Sequence, residues 1–300
     1  MIIGFIGTGT MGLPMLTNLI KKGHSVVAFD VVPAALDRAV SRGAKAAKSP
    51  ADTARQSDIV VTMLPSSSHV ESVYLGGSGV IEGLKKAQLC VDMSTIDPSV
   101  SRQVATALSA KGGRFIDAPV SGGSVGAEAG TLAIMVGGKA ADLEEARPAL
   151  SAMGANIIHV GDVGAGEAAK LCNNLIGGVV AVALAEAFRI GEGFGVDPKI
   201  LTEVISKSSG NTWVMQNAHP VPGIVEKTPS SRGYAPGFMT DLMAKDLALA
   251  VNAARELRIP VFVSPVAQQL LRLASSQGLA REDYTSIYKF LKPSDDKAPV

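Results

Sequence analysis

In residues 164–178, a lysine and two asparagines precede an apolar run. These polar side chains form a group that could move a proton. The segment reads Gly-Ala-Gly-Glu-Ala-Ala-Lys-Leu-Cys-Asn-Asn-Leu-Ile-Gly-Gly, and between residues 168 and 188 only Lys170 and Glu186 are charged. On a helix, Lys170 and Asn174 share a face because they are four residues apart, and Asn173 lies beside them. Removal from water favours the neutral amine of a lysine, which can accept a hydroxyl proton.

Two interpretations of Lys170 stay open on this segment alone. In the first, Lys170 faces a substrate cleft as a general acid–base and Asn174 hydrogen-bonds the same substrate oxygen. In the second, the lysine extends from a core helix to solvent, and the asparagines are ordinary polar residues of the helix surface. The histidines are weaker candidates for acid–base chemistry: His24 in a turn, His69 at a helix start, His159 on an apolar strand as an expected core residue, and His219 in a long loop.

The N-terminal segment carries the glycine pattern of a dinucleotide-binding turn. Gly7, Gly9 and Gly12, with Thr10 and Met11 between them, form Gly-x-Gly-x-x-Gly after an apolar run and before a helical pattern. In that context the glycines permit the tight turn, the approach of a pyrophosphate and close helix–strand packing. The alternative is a strand–turn–helix without a ligand.

Residues at the ends of the predicted strands extend this cofactor site. Asp30 ends the second strand, where its carboxylate can accept hydrogen bonds from ribose hydroxyls and would repel a 2′-phosphate. The sequence therefore favours NAD over NADP, with Arg38 expected on the solvent face of the next helix. Leu64, Pro65 and the Thr95 hydroxyl follow later strands and are predicted cofactor contacts, although ordinary strand-to-loop residues would look the same.

The elements that must position these residues are predicted to be alternating strands and helices, followed by helices alone. Apolar β-branched runs predict strands at residues 2–6, 25–29, 58–64, 89–93, 115–117, 132–136 and 156–160. Helical patterns between them cover 11–22, 33–42, 98–111 and 141–153. This alternation predicts a Rossmann-like, doubly wound, mainly parallel sheet in an α/β fold.

The second half changes character after residue 164. A long helix over 165–193 is followed by one that begins at Asp197-Pro198 and stops near Gly210, and then by helices at 240–257, 265–277 and 281–291. We expect a nucleotide-binding domain at 1–163 and an all-helical domain at 164–300, joined by the long helix. Residues 293–300 are expected to be a frayed tail.

Composition excludes several classes of protein. The 300 residues are 47% hydrophobic and 18% charged with a net charge of +1, so the chain can bury a core and lacks the basic excess of nucleic-acid-binding proteins. The apolar run 175–185 is too short for a membrane span. No signal sequence is evident, so a cytoplasmic location is expected. Cys90 and Cys172 are expected to be reduced core thiols.

Two further polar segments have open interpretations. The glycine-rich turn Asp-Ala-Pro-Val-Ser-Gly-Gly-Ser at 117–124 offers amides and a hydroxyl to a carboxylate, or it is a turn that binds nothing. Lys245 and Asp246 lie in the amphipathic segment Leu-Met-Ala-Lys-Asp, where a solvated helix-face pair is the commonest outcome.

Taken together, these motifs resemble the β-hydroxyacid dehydrogenase family over nearly the whole chain, most closely its branch acting on 3-hydroxyisobutyrate. The resemblance rests on four ordered segments: the N-terminal Gly-Phe-Ile-Gly-Thr-Gly-Thr-Met-Gly-Leu-Pro-Met, the 117–123 turn, Gly-Glu-Ala-Ala-Lys-Leu-Cys-Asn-Asn at 166–174, and Leu-Met-Ala-Lys-Asp at 242–246. It implies a homodimer or homotetramer built through the helical domains.

The resemblance also implies roles for individual residues. Lys170 corresponds to the catalytic lysine, and the implied substrate contacts are Ser121, Gly122, Gly123, Asn174, Lys245 and Asp246. The implied NAD contacts are Gly7, Gly9, Thr10, Met11, Gly12, Asp30, Leu64, Pro65, Thr95 and Lys245, with His69 where relatives often have an asparagine.

The expected activity is NAD-dependent oxidation of a small 3-hydroxy acid, 3-hydroxyisobutyrate giving methylmalonate semialdehyde, as in valine catabolism. The alternatives are a relative acting on L-serine or another 3-hydroxy acid, a tartronate semialdehyde reductase, an imine reductase, and a non-catalytic NAD-binding interaction protein. Imine reductases usually replace the lysine, so Lys170 disfavours them.

Overall fold

The N-terminal part of the chain forms one nine-stranded sheet, as seen in a computed structural model that describes residues 1–292. The tail expected to fray, residues 293–300, lies outside the described residues. The strands are β1 (Ile2–Ile6), β2 (Ser25–Phe29), β3 (Lys45–Ala46), β4 (Ile59–Thr62), β5 (Leu89–Asp92), β6 (Arg114–Asp117), β7 (Val120–Ser121), β8 (Leu132–Gly137) and β9 (Gly154–Gly161).

The helices that flank this sheet are α1 (Gly12–Lys21), α2 (Pro33–Ser41), α3 (Pro50–Gln56), α4 (Ser67–Leu75), α5 (Pro98–Ala110), α6 (Gly123–Ala129) and α7 (Ala140–Met153). The described helices that follow are α8 (Ala165–Gly193), α9 (Pro198–Ser206), α10 (Trp213–Asn217), α11 (Thr240–Glu256), α12 (Val263–Ala274) and α13 (Ile287–Phe290).

The sheet has the strand order β3-β2-β1-β4-β5-β6-β8-β7, with β9 beside β8. Its first six strands are parallel, and they follow the order 3-2-1-4-5-6 of dinucleotide-binding folds. Antiparallel pairing occurs only where β8 meets β6 and β7 among the described strands. The predicted doubly wound, mainly parallel sheet is therefore confirmed.

Apolar residues on both faces of the strands bury this sheet. In β4, Val61 packs into the cluster that contains Ile3 and Phe5, while its neighbour Val60 packs into the opposite cluster with Ile6. Successive side chains of a strand point to opposite faces, so a strand covered on both sides reads as a continuous apolar run. The sequence signal was strong for this reason.

The chain divides into two compact units, Met1–Lys170 and the residues from Leu171 onward. The division falls inside α8, whereas the predicted boundary at 163/164 lies at the start of this helix. The described part of the second unit contains helices, short 3₁₀ and π turns and one isolated bridge between Met239 and Asp283. Its core includes Phe188, Leu247 and Leu271.

Helix α8 begins and ends where the sequence predicts, at Ala165 and Gly193. By length and composition this helix could cross a membrane, with a mean hydropathy of 1.6 in its most apolar window, but 44% of that window is buried within the protein. A core helix of a soluble protein passes the same test.

Three predictions about the second unit are wrong in detail. The helix that starts at Pro198 ends at Ser206 rather than near Gly210. The predicted helix at 281–291 begins as a 3₁₀ turn at Tyr284 and is α-helical only from Ile287. The buried Asp283 carboxylate caps this turn at the Thr285 amide and also accepts hydrogen bonds from the Gly237 and Phe238 amides. Cys90 is buried as expected, but Cys172 is exposed, since it lies on the outer side of α8.

Candidate functional site

The glycine turn between β1 and α1 has the shape that a dinucleotide needs. Gly7 adopts φ +93°, and a Cβ there would lie 2.3 Å from the Met63 carbonyl oxygen. A Cβ on Gly12 would lie 1.9 Å from the Gly7 oxygen, so this glycine permits the helix to approach the strand. A Cβ on Gly9 would meet no protein atom within 4 Å. Packing explains Gly7 and Gly12, whereas the open space at Gly9 fits a pyrophosphate.

Asp30 ties this turn to the second strand. Its Oδ2 accepts hydrogen bonds from the Thr8 amide at 2.7 Å and the Thr8 hydroxyl at 3.2 Å, while its Oδ1 accepts one from the Val32 amide at 2.8 Å. The carboxylate thus stands beside the glycine turn, where a 2′-phosphate would meet its negative charge. Arg38 is exposed on α2, as expected.

A buried carboxylate joins the ends of β4 and β5. Asp92 Oδ1 accepts 2.6 Å hydrogen bonds from the hydroxyls of Thr62 and Ser94, and the Ser94 oxygen accepts one from the Leu64 amide at 2.9 Å. Burial raises the pKa of Asp92 to about 6, although both hydroxyls oppose the shift. Asp92 therefore sets the conformation of the loop that begins at Leu64.

The predicted cofactor residues meet at one edge of the sheet. Gly7, Asp30, Leu64 and Thr95 follow β1, β2, β4 and β5, which are adjacent parallel strands, so their carboxyl ends lie side by side. Thr10 and Met11 lie in the turn before α1. Pro65 lies just before α4 and the exposed His69 lies in its first turn, where the His69 Nδ1 is 2.7 Å from the Ser66 hydroxyl oxygen. This edge is the ligand crevice of open α/β sheets.

The 117–123 segment forms more structure than the predicted turn. Ser121 ends β7, which pairs with β8, and α6 begins at Gly123. Gly122 has φ +134° and Gly123 has φ +61°, both in the region that favours glycine. The sequence missed β7 because it has only two residue pairs, and it missed α6 because this helix has only seven residues.

Lys170 is buried on α8, with 6% of its surface exposed, so its side chain does not extend to solvent. Asn174, one turn further along, is buried to a similar extent at 7%, whereas Asn173 is exposed. The two asparagines thus differ in environment although they are adjacent in sequence. The burial favours the first interpretation of the lysine over the second.

Asn174 has a defined partner within the second unit. Its Nδ2 donates to Asp246 Oδ2 at 2.6 Å, and its Oδ1 accepts from Asn173 Nδ2 at 3.1 Å. Asp246 is buried, and its Oδ1 lies 3.2 Å from Lys245 Nζ. Asp246 and Lys245 are therefore not a solvated helix-face pair, because the buried Asp246 carboxylate is hydrogen-bonded to Asn174.

His159 and His219 are in structural positions. His159 is exposed on β9 and its Nε2 is 2.7 Å from the Gly138 carbonyl oxygen, so the expected core position is wrong. His219 is fully buried, accepts a hydrogen bond from the Val221 amide at Nδ1, and lies 3.0 Å from the Thr202 hydroxyl through Nε2. Burial lowers the pKa of His219 to about 4.

Replacing His219 with glutamine is expected to remove a pH dependence of stability. The unfolded histidine binds a proton below about pH 6.5, whereas the folded one does so only near 4, so wild-type stability falls as pH drops through this window. The free energy of unfolding in urea, measured from pH 7.5 to 5, should fall more steeply for wild type than for His219→Gln. Parallel pH profiles for the two proteins would contradict the assignment.

Known protein families match both parts of the chain, and the match to the first part agrees with the dinucleotide-binding shape of the glycine turn. The NAD binding domain of 6-phosphogluconate dehydrogenase matches residues 2–161, and the NAD-binding domain of NADP-dependent 3-hydroxyisobutyrate dehydrogenase matches residues 164–291. The chain belongs to the β-hydroxyacid dehydrogenase family. Like other members it is an NAD-dependent oxidoreductase that acts on a CH–OH group.

Three members of the family show the extent of the likeness. Mitochondrial 3-hydroxyisobutyrate dehydrogenase of Rattus norvegicus is 41% identical over 98% of this chain and 88% of its own. The NAD-dependent L-serine dehydrogenase of Pseudomonas aeruginosa is 44% identical over 97% of this chain and 98% of its own. A Mycobacterium tuberculosis 3-hydroxyisobutyrate dehydrogenase structure described with L-serine has a TM-score of 0.93 and 38% identity, covering 97% and 99% of the two chains.

The sequence did not indicate two groups of contacts beside the predicted cofactor residues. Asp92 and Ser94 hold the Leu64 loop, and Glu167 contacts a loop after β5 through Ile96. Asp92 could have been noticed as a charged residue at the end of an otherwise apolar strand. Glu167 offered none beyond its place in the first turn of α8.

Proposed function

We propose that this dehydrogenase oxidises 3-hydroxyisobutyrate to methylmalonate semialdehyde and that Lys170 is its general acid–base. The observation that supports this proposal is the burial of Lys170 one helical turn from the buried Asn174. A buried lysine requires a function or a partner that offsets its desolvation. An amine beside an amide can exchange a proton with a substrate hydroxyl and orient it.

Each part of the substrate has a proposed binding group. Ser121, Gly122 and Gly123 would bind the carboxylate through the serine hydroxyl and backbone amides. Lys170 would take the hydroxyl proton during oxidation and return it during reduction, with Asn174 holding the same oxygen. NAD bound along the edge of the sheet would supply the hydride acceptor for the carbon that carries this hydroxyl.

Asp246 and Lys245 lie on α11 and would support the proposed position of Asn174. The Asp246 carboxylate accepts one Nδ2 hydrogen of Asn174, which fixes the plane of the amide and leaves the other Nδ2 hydrogen to the substrate oxygen. We assign Asp246 as a positioning residue for Asn174. The Lys245 side chain is 29% exposed, and its Nζ lies 3.2 Å from Asp246 Oδ1.

The adjacent asparagines provide a matched pair of variants. Asn174→Ala is expected to lower kcat/KM for the 3-hydroxy acid at least tenfold, because a hydrogen bond to a buried reacting oxygen is lost. Asn173→Ala should stay within threefold of wild type, since this side chain is exposed. Steady-state kinetics at saturating NAD decide the matter, and equal losses in both variants would refute the assignment.

The choice of hydroxy acid is tested by comparing substrates. L-serine is the second candidate because one relative that is 44% identical is named an NAD-dependent L-serine dehydrogenase. We expect kcat/KM to be highest with 3-hydroxyisobutyrate when it, L-serine and tartronate semialdehyde (in the reverse direction) are compared, and higher with NAD than with NADP. A tenfold preference for L-serine would replace the proposed substrate and leave the proposed chemistry in place.

We also propose that the protein is a homo-oligomer assembled through its helical unit. Large apolar side chains of this unit are exposed, including Phe194, Trp213 and Phe262 at 78%, 69% and 80%. Such apolar surface is typical of protein interfaces. Light scattering on the purified protein should give the mass of a dimer or tetramer, and a monomer at micromolar concentration would overturn this proposal.

A further inference from the structure

A buried carboxylate from the sheet caps the helix that carries Lys170. Asp117 ends β6 and is fully buried. Its Oδ1 accepts a hydrogen bond from the Gly164 amide at 2.7 Å, and its Oδ2 accepts one from the Glu167 amide at 2.9 Å. The first amides of a helix lack partners within the helix, and here Asp117, 50 positions earlier in the chain, supplies the partner of the Glu167 amide.

Two glycines make this close approach possible. A Cβ on Gly137 would lie 2.6 Å from Asp117 Oδ1, and a Cβ on Gly166 would lie 2.8 Å from Oδ2 and 2.4 Å from the Met135 carbonyl oxygen. Both positions are therefore closed to any side chain while the carboxylate keeps its place. The backbone around Asp117 is shaped to seat the start of α8 on this one group.

The same first turn reaches the neighbouring loop. Glu167 is fully buried, and its Oε2 accepts a hydrogen bond from the Ile96 amide at 3.1 Å. Ile96 directly follows Thr95, the proposed cofactor contact at the end of β5. Asp117 thus fixes the helix to the sheet, and Glu167 fixes the helix to the Thr95 loop.

We propose that Asp117 and Glu167 are positioning residues that set the place of Lys170 relative to Thr95. Lys170 lies three residues after Glu167, so it belongs to the same helical surface and moves with that turn. This inference rests on the proposed acid–base role of Lys170. Proton transfer and hydride transfer both depend on sub-ångström placement, so a small rotation of α8 lowers the rate without preventing cofactor binding.

The chemistry of the cap requires a carboxylate. Both oxygens of Asp117 accept hydrogen bonds from amides, and burial raises its pKa while those bonds oppose the rise. An asparagine of the same volume would present an NH₂ group to one of the two amides, so one hydrogen bond is replaced by a donor–donor contact. A buried unsatisfied amide would then favour a displaced helix start.

The test uses the variants Asp117→Asn, Glu167→Ala and Glu167→Gln, with Asp162→Asn as the control. Asp162 is an exposed acid just before α8, and its change should leave kcat within twofold. We expect Asp117→Asn to lower kcat per NAD-binding site at least tenfold, with an NAD dissociation constant within threefold of wild type. Glu167→Gln, which keeps an oxygen for the Ile96 amide, should retain more of kcat than Glu167→Ala.

The pH profile of kcat separates positioning from general loss of stability. A variant that only unfolds more easily has fewer NAD-binding sites, and the pH profile of kcat at the remaining sites is unchanged. A displaced Lys170 instead shifts the limb of this pH profile that depends on the lysine and that is absent from Lys170→Ala. Unchanged kcat and profile in Asp117→Asn and Glu167→Ala would overturn the positioning role while Lys170 stays catalytic. An active Lys170→Ala would instead overturn the proposed function. If Asp117→Asn does not fold, the Glu167 pair decides.

Discussion

Replacing Lys170 with alanine is expected to lower kcat by about 10²–10⁴-fold, the range typical of a lost general acid–base group. The proposed substrate hydroxyl would keep its Asn174 contact but lose the group that takes its proton. The NAD dissociation constant should stay within threefold, because the glycine turn and Asp30 belong to other elements. Stopped-flow NADH formation and NAD titration of the same sample measure the two quantities.

Two further variants on α8 sharpen this result. Cys172 is exposed two residues beyond the lysine, so Cys172→Ala should keep wild-type kcat. Lys170→Arg keeps a positive charge that is not given up near neutral pH and should be nearly as inactive as Lys170→Ala. If Lys170→Ala retained more than a tenth of wild-type activity, its role in proton transfer would be excluded.

The second large effect concerns the glycine turn, where one added methyl group should lower stability and another should weaken NAD binding. Gly12→Ala places a Cβ 1.9 Å from the Gly7 oxygen, and because backbone must move, unfolding is expected to become easier by about 3 kcal/mol. Gly9→Ala meets no protein atom within 4 Å, so stability should change by less than about 1 kcal/mol. The Gly9 methyl should instead raise the NAD dissociation constant at least tenfold, or about 1.4 kcal/mol.

Urea unfolding without cofactor and NAD titration by fluorescence give the two readouts for each variant. The pair serves as its own control, since both changes add one methyl group within the same turn. A stable Gly12→Ala would contradict the packing role of Gly12. A Gly9→Ala that binds NAD like wild type would show that the open space at Gly9 does not receive the pyrophosphate.

The sheet could be predicted from the sequence because its signals are local. Strands covered on both faces are short, wholly apolar runs, and β1 and β2 have the predicted bounds. The ends of α8 were equally clear, since an apolar run between glycines leaves few alternatives. The glycine spacing after β1 also placed the cofactor edge, because it depends on only six residues.

The contacts that organise the site could not be predicted, because their partners are far apart in sequence. Asp117 caps the Glu167 amide of α8 from 50 positions away, and the Glu167 carboxylate reaches the Ile96 amide over 71 positions. The burial of Asp246 likewise depends on its pairing with Asn174, 72 positions earlier. Each of these acids looks like a solvated charge until the fold brings its partner to it. The Asp283 carboxylate, which caps the turn at Tyr284, is likewise held by distant amides, those of Gly237 and Phe238.

We propose that this chain transfers a hydride from a 3-hydroxy acid to NAD with Lys170 as the proton acceptor. Absorbance at 340 nm, followed after 3-hydroxyisobutyrate is added to the wild-type protein with saturating NAD, tests it most directly. We predict continuous NADH formation with multiple turnovers per site, absent from Lys170→Ala. Tight NAD binding without NADH formation from 3-hydroxyisobutyrate, L-serine or any other 3-hydroxy acid would contradict the account and favour a non-catalytic NAD-binding protein.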